Sequence, residues 1–203
     1  MADVAKLMGV ATGTVYLYVE SKEALFDLVI RSQAGLEYLE PLTLPFKTPA
    51  PGSTLKFIKS QFDLPGQWPA LDAALDRPRA ENPGAELRGI LGELYQTMTR
   101  YRVGLTMLRR SALEYPGLYE VFINGQRKRL HKDLVLYLES RIAAGQFMAQ
   151  KKVSNTAVML LQTLSWAAVQ RHSDPEYKQI DNYEMAECTL DALVRGMLAA
   201  HSD

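Results

Sequence analysis

Cysteine is almost missing. Among 203 residues only Cys188 is present, so no disulfide can close within the chain, and a reducing compartment fits. Standing alone, Cys188 reads as a small buried hydrophobe. Long apolar runs are missing as well: none approaches the roughly 18 residues that span a bilayer. The first residues lack the basic, apolar, small-residue order of a secretory signal. No membrane partner is therefore expected, and a cytoplasmic location is. Charge of one sign is not in excess. The 23 Lys and Arg balance 23 Asp and Glu, so any contact with nucleic acid has to be local. Histidine is scarce, and His131, His172 and His201 stand far apart without metal-ligand spacing. A phosphate-cradling glycine loop and a G-x-S-x-G elbow are both absent from the sequence. His172-Ser173-Asp174 is contiguous and reads as a helix terminus, not a catalytic triad. No catalytic residue, metal or cofactor is expected, and the chain is not expected to be an enzyme.

What is present is ordinary for a folded domain, 47% apolar and 23% charged, with helical periodicity throughout. "ESKEALFDLVIRSQAGLEYLE" carries Leu25, Leu28, Val29 and Leu36 on helical spacing, with Ser21 as N-cap and Glu23 suited to the helix dipole. "PLTLPFKTPAPG" holds prolines at 41, 45, 49 and 51 and cannot continue a helix. It divides a small head, residues 1–40, from a larger body, residues 41–203. In the body, helices are predicted over 53–62, 85–114, onward from 118 to about Gly145, 155–172 and 183–200. The fold class is all-α, and nothing reads as a sheet.

The most informative stretch is "VAKLMGVATGTVYLYVESKEAL", residues 4–25. Two crossed helices need a small residue at the crossing, a residue tolerant of positive φ in the turn, and apolar residues facing inward. Ala5, Gly9 and the set Val4, Met8, Val10, Val15 and Val19 supply these. With Thr12 to Val19 as the second helix, Val15 and Val19 point inward within about 40° of each other. Gly13 and Leu17 then point outward, flanked by Thr14 and Tyr16. A water-facing helix normally shows Glu, Lys or Arg there; this face is small, uncharged and rich in hydroxyls. Such a face suits close approach to the DNA major groove.

"ADVAKLMGVATGTVYLYVESKEALF" resembles the helix-turn-helix head of the TetR family of bacterial transcriptional regulators, through Ala5, Gly9-Val10, Gly13 to Tyr16, Tyr18 and Ser21 to Leu25. The resemblance implies that Thr12, Gly13 and Tyr16 approach bases, with Leu17 on the same face, and that Thr14, Tyr18 and Lys22 hold the phosphate backbone. Lys22 also opens a helix, where backbone N–H groups favour an anion. Two departures stand out. Ala11 replaces the family's usual serine cap, so Thr12 is expected to cap the second helix. The motif also begins at residue 2, whereas the family places a basic helix before it. Over residues 1–31, Lys6, Lys22 and Arg31 face Asp3, Glu20, Glu23 and Asp27, a net charge of −1. The head is thus expected to be N-terminally incomplete and to bind DNA weakly or not at all as it stands.

The body resembles the family more loosely, through helix number and "RRSALEYPGLYEVF". The resemblance implies a small-molecule effector there. Tyr95, Met98, Tyr101, Met107, Tyr115, Phe122, Met159, Gln162 and Trp166 are the residue types that line an adaptable apolar site. Gly89, Gly92 and Gly104 interrupt the helical pattern and imply close helix contacts or open space. The last two helices read as a homodimer interface, with Leu161, Leu164 and Ala168 on one and Leu190, Leu193 and Met197 on the other. "QRKRLHK" at 126–132 reads as a solvated face. The function implied is a ligand-responsive regulator, a repressor released from its double-stranded DNA operator by an apolar or amphipathic effector. The alternative is a dimeric helical ligand-binding protein whose head no longer reads DNA.

Overall fold

The computed structural model describes residues 1–35 and 43–198. The boundary expected at 40/41, together with Leu36 and His201, lies outside the described residues. The structure is all-helical, with no β-strand among the described residues; backbone bridges occur singly, as between Val19 and Phe46. The chain divides into two compact units, Met1–Leu64 and Pro65–Asp203.

The first unit contains α1 (Ala2–Met8), α2 (Thr12–Tyr16), α3 (Lys22–Ala34) and α4 (Ser53–Phe62). Gly9 ends α1 at φ 67°, a left-handed conformation that glycine adopts without a Cβ penalty. The Gly9 N–H then reaches Lys6 O and the Val10 N–H reaches Ala5 O, which uses two carbonyls the helix end leaves free. Ala5, Val15, Val19 and Ala24 form the small core of this unit, packed by Val4, Leu25, Leu28 and Phe46. Ser21 caps α3 by accepting from the Ala24 N–H at 3.0 Å.

Three expectations for this region are corrected. The second helix stops at Tyr16, not Val19, because Leu17 and Tyr18 donate to Thr14 O and Val15 O, three residues back, and the chain then leaves to meet Phe46. Its cap position is Ala11, with no side-chain bond, so Thr12 is not the cap. Met8 and Val10, expected to face inward, are exposed, since the packing around Ala5 and Val15 draws on Val4 and Leu25 instead.

The second unit contains α5 (Pro69–Leu75), α6 (Pro83–Arg100), α7 (Arg102–Ser111), the short α8 (Pro116–Leu118), a π-helix over Tyr119–Arg127, α9 (Lys128–Ala143), α10 (Val153–Ala168), a 3-10 turn over Gln170–Ser173, and α11 (Asn182–Arg195). The pattern read as one helix over 85–114 is broken at Tyr101, whose ψ of 21° leaves helical geometry. Helices α6 and α11 run antiparallel. A Cβ on Gly92 would meet Leu190 at 3.8 Å, while the Tyr95 hydroxyl donates to Asn182 O at 3.5 Å. Gly89, by contrast, faces open space. The core is built from Leu87, Ile90, Leu91 and Leu94 of α6, Leu134 and Leu138 of α9, Leu160 and Leu164 of α10, and Leu190 of α11.

Two arginines are fully buried and hold helix ends. Arg141 donates to Glu86 Oε1 at 2.7 Å, to Ala74 O at 2.7 Å and to Arg77 O at 2.9 Å, which joins α9, α6 and the end of α5. Arg171 donates to Ala167 O at 2.7 Å, to Ile180 O at 2.9 Å and to Asn182 Oδ1. A guanidinium has five donors, enough to satisfy several stranded carbonyls at once. Cys188, read as a small buried hydrophobe, is exposed, because α11 turns Thr189 and Leu190 inward instead.

Candidate nucleic-acid interface

Helix α2 and the turn that follows it are pinned to their support through Val15 and Val19, which are 3% and 2% exposed. The rest of the stretch from Thr12 to Tyr18, Thr14 excepted, faces out. Tyr16, Leu17 and Tyr18 are 46%, 68% and 52% exposed, Thr12 and Gly13 are exposed, and Thr14 is half-buried. Lys22 stands exposed at the first position of α3. The seven residues singled out in the sequence thus lie on one short stretch of surface around α2 and the start of α3.

The backbone on either side is held firmly. Phe46 N–H donates to Tyr18 O at 2.8 Å and Glu20 N–H donates to Phe46 O at 2.9 Å. With its carbonyl engaged and the next residue buried, Tyr18 has only the outward side for its ring. Glu20 accepts from the Thr48 N–H at 2.8 Å and from Lys47 Nζ at 3.2 Å. These bonds hold the Glu20 carboxyl below its ordinary range, the Thr48 amide contributing most and Lys47 next. Asp27 is buried and accepts from Arg31 and Thr54, so two of the four acidic groups over residues 1–31, Glu20 and Asp27, are already partnered within the first unit.

Gly13 carries the clearest message. A Cβ built there meets no atom within 4 Å, and its φ is not positive. Glycine inside a helix is disfavoured by about 1 kcal/mol relative to alanine. Neither backbone conformation nor internal packing in this chain accounts for it. An uncharged, glycine-bearing, hydroxyl-rich face is chemically equipped to approach a surface closely and to donate to phosphates or base edges.

The second unit only partly brings together the residues expected to line an effector site. Tyr95 and Phe122 are buried, and Met98, Tyr101 and Met107 are half-buried. Tyr115, Met159, Gln162 and Trp166 are exposed, which corrects their assignment to an interior lining. The reason lies in α10, which turns Ala157, Leu160, Leu164 and Ala168 into the core and so sends 159, 162 and 166 to its far side. Trp166 instead packs edge-on against Tyr177, with ring centroids 5.7 Å apart.

The same inward stripe corrects the interface assignment. Leu164, Ala168, Leu190 and Met197 are buried in the chain's own core, and Leu161 and Leu193 pack against it. The apolar residues that α10 leaves uncovered are Val158, Met159 and Trp166. This unit also buries polar atoms whose burial the sequence did not indicate. Thr99 Oγ1 and His172 Nε2 are buried without a hydrogen-bond partner among the described residues. Burial, then the charges of Arg102 and Arg171, hold the His172 imidazole below its ordinary range. No group of three His, Cys, Asp or Glu side chains among the described residues is arranged to hold a metal ion. No helix among them is long and apolar enough to cross a membrane. Comparison of the chain with protein-family models, with curated proteins and with solved structures finds no match.

Proposed function

We propose that this protein is a DNA-binding transcriptional regulator of the TetR type, a repressor whose α2 enters the major groove as the second member of a helix-turn-helix. The observation that carries this reading is the outward face of Thr12, Gly13, Tyr16 and Leu17 around a glycine that nothing inside the chain requires. Thr14, Tyr18 and Lys22 flank that face and supply donors for phosphate oxygens. The body binds a small apolar or amphipathic effector. Tyr95, Met98 and Phe122 offer the apolar surface, and the unpartnered Thr99 hydroxyl and His172 imidazole offer polar handles. Effector binding releases the operator only if the ligand prefers one of two body conformations.

A regulator of this kind works as a dimer, since two heads reach successive major grooves about 34 Å apart. The second copy docks on the outer face of α10, through Val158, Met159 and Trp166. The chain is not an enzyme on this reading.

The test is selection of bound duplexes from a random pool with the full chain, followed by sequencing. An enriched pair of half-sites about one helical turn apart is the expected result, and Gly13→Glu abolishes the enrichment. A pool that stays random with the parent protein overturns the reading and leaves a helical ligand-binding protein.

A further inference from the structure

The run Gln126-Arg127-Lys128-Arg129-Leu130-His131-Lys132 joins the end of the π-helix to the start of α9. Leu130 is buried, which fixes the helix rotation and turns Arg127, Lys128, Arg129 and Lys132 to the exposed side. His131 Nε2 lies 3.1 Å from Ser154 O and 3.3 Å from Ser154 Oγ, so the start of α9 is fastened to the start of α10. Lys151 and Lys152, three and two residues before Ser154 in the chain, are both exposed. Six cations from two separate segments thus lie within four residues of one hydrogen-bonded pair.

None of the six takes part in an ion pair among the described residues. The nearest carboxylates along the chain are Asp133, half-buried, and Glu120, which accepts from Asn124 at 2.8 Å. With these six set aside, 17 basic side chains face 23 acidic ones in the rest of the chain. Stability does not explain the arrangement. Lys152 is the N-cap of α10, with no side-chain capping bond and no acidic residue in the first turn. Cations there oppose the helix dipole, and like charges crowded together repel.

We infer that this face is a second, sequence-independent contact for the phosphate backbone of duplex DNA, separate from the head. The choice of duplex as occupant rests on the DNA-binding reading above; the demand for a polyanion does not. The chemistry of the patch narrows the partner. It holds no exposed aromatic side chain on which an unpaired base could stack. Within the two basic runs no Trp, Phe or Leu is exposed to insert between lipids, Leu130 being buried; the exposed Leu136 lies one turn past Lys132. Lysine and arginine alone, displayed outward from two helix starts, match a regular line of phosphates. Contact of this kind raises affinity for any duplex and reads no sequence.

The experiment measures binding of the full chain to a short labelled duplex of random sequence, by fluorescence anisotropy over a series of salt concentrations. Three proteins are compared: the parent, a patch variant (K128Q, R129Q, K132Q, K151Q and K152Q together), and a head variant (T14A with K22Q). The patch variant is expected to bind at least tenfold more weakly at low salt. Its log–log salt dependence should be shallower by about 0.9 for each phosphate it no longer neutralises. The head variant keeps that share of the slope, so failure of the head reading leaves this outcome intact. Equal affinity and slope for parent and patch variant overturn the inference. So does parent protein that ignores the duplex while binding vesicles rich in phosphatidylserine, which would make the face a lipid contact. K151Q with K152Q alone, both at exposed positions, gives the same direction of change should the fivefold variant misfold.

Discussion

Asp27 and Thr54 meet at 2.7 Å, and through that contact α3 holds α4 in the first unit. Asp27 is 2% exposed, and its second oxygen accepts from Arg31 Nε at 2.7 Å, while the Arg31 guanidinium lies 4.5 Å above the Phe57 ring. One buried carboxylate thus orders two donors and, through one of them, an aromatic ring. Asp27→Ala strands both donors and is expected to lower stability by about 2–3 kcal/mol, whereas Thr54→Val, which removes a single bond, lowers it by about 1 kcal/mol. Urea denaturation checks this through the midpoint at unchanged slope. Equal loss in the two variants would contradict the account.

Gly13→Ala separates stability from DNA contact. The added methyl points into open space and relieves an unfavourable helical glycine, so the variant should be more stable by about 0.5–1 kcal/mol. On the DNA-binding reading proposed above, duplex affinity should fall all the same, by about tenfold or more, because the methyl would stand where a groove wall has to approach. Thermal melting and anisotropy on the same samples decide the matter. Unchanged affinity in a stabilised variant would show that the glycine is incidental.

The head was legible because its signals are local. Gly9 with its left-handed turn, Ser21 as a cap, and the inward pair Val15 and Val19 all act within a few residues, and each lies where the sequence pattern puts it. The end of α2 was not legible, since it depends on Phe46, far along the chain, taking the Tyr18 carbonyl. In the body the helices were legible but their rotation was not. Apolar residues surround α10 on nearly every side, so Leu160 and Leu164 inward and Met159 and Trp166 outward is decided by what α6 and α9 present. The buried Arg141 and Arg171 left no sequence signal; most of their partners are backbone carbonyls brought up by the fold, with Glu86 and Asn182 beside them. Lys151 and Lys152 join the basic run near 130 only through the hydrogen bonding of His131 to Ser154.

Glu20 makes the segment around Thr48 sensitive to acid. Its carboxyl is held below the ordinary value of 4.5, first by the Thr48 amide and then by Lys47. A depressed acid contributes its share of stability above its unfolded value and loses it as pH falls through the folded one. Hydrogen exchange at the Thr48 amide should therefore show protection at neutral pH that fades below about pH 4.5. In Glu20→Gln that pH dependence should vanish. Protection that persists in acid in the parent protein would mean that the carboxylate is not what holds the amide.

His172 works with the opposite chemistry but the same sign. Its imidazole is held below the ordinary value of 6.5, by burial first and then by Arg102 and Arg171. The unfolded chain therefore takes up a proton, as pH drops past 6.5, that the folded chain still refuses. Stability is full above 6.5 and declines until the folded group also titrates. The urea midpoint of the parent should fall more steeply between about pH 7.5 and pH 5 than that of His172→Gln. A ligand that donates to Nε2 should flatten the parent's curve. Parallel curves for the two proteins would remove His172 from any such role.

The outward and inward faces of α10 should separate association from folding. Val158, Met159 and Trp166 are 45%, 55% and 38% exposed, whereas Leu164 is fully buried among α6, α9 and α11. Trp166→Glu places a charge on the outer face, where a second copy would have to desolvate it. The Trp166 ring packs edge-on against Tyr177, a contact worth about 0.5–1.5 kcal/mol. Leu164→Ala leaves a core cavity and should lower stability by about 2–5 kcal/mol. Sedimentation velocity at micromolar concentration should then find the parent as a dimer and Trp166→Glu as a folded monomer. Leu164→Ala, below its melting point, should still be a dimer. A dimer that survives Trp166→Glu moves the contact off this face, and with it the way two copies of α2 would reach neighbouring turns of one duplex.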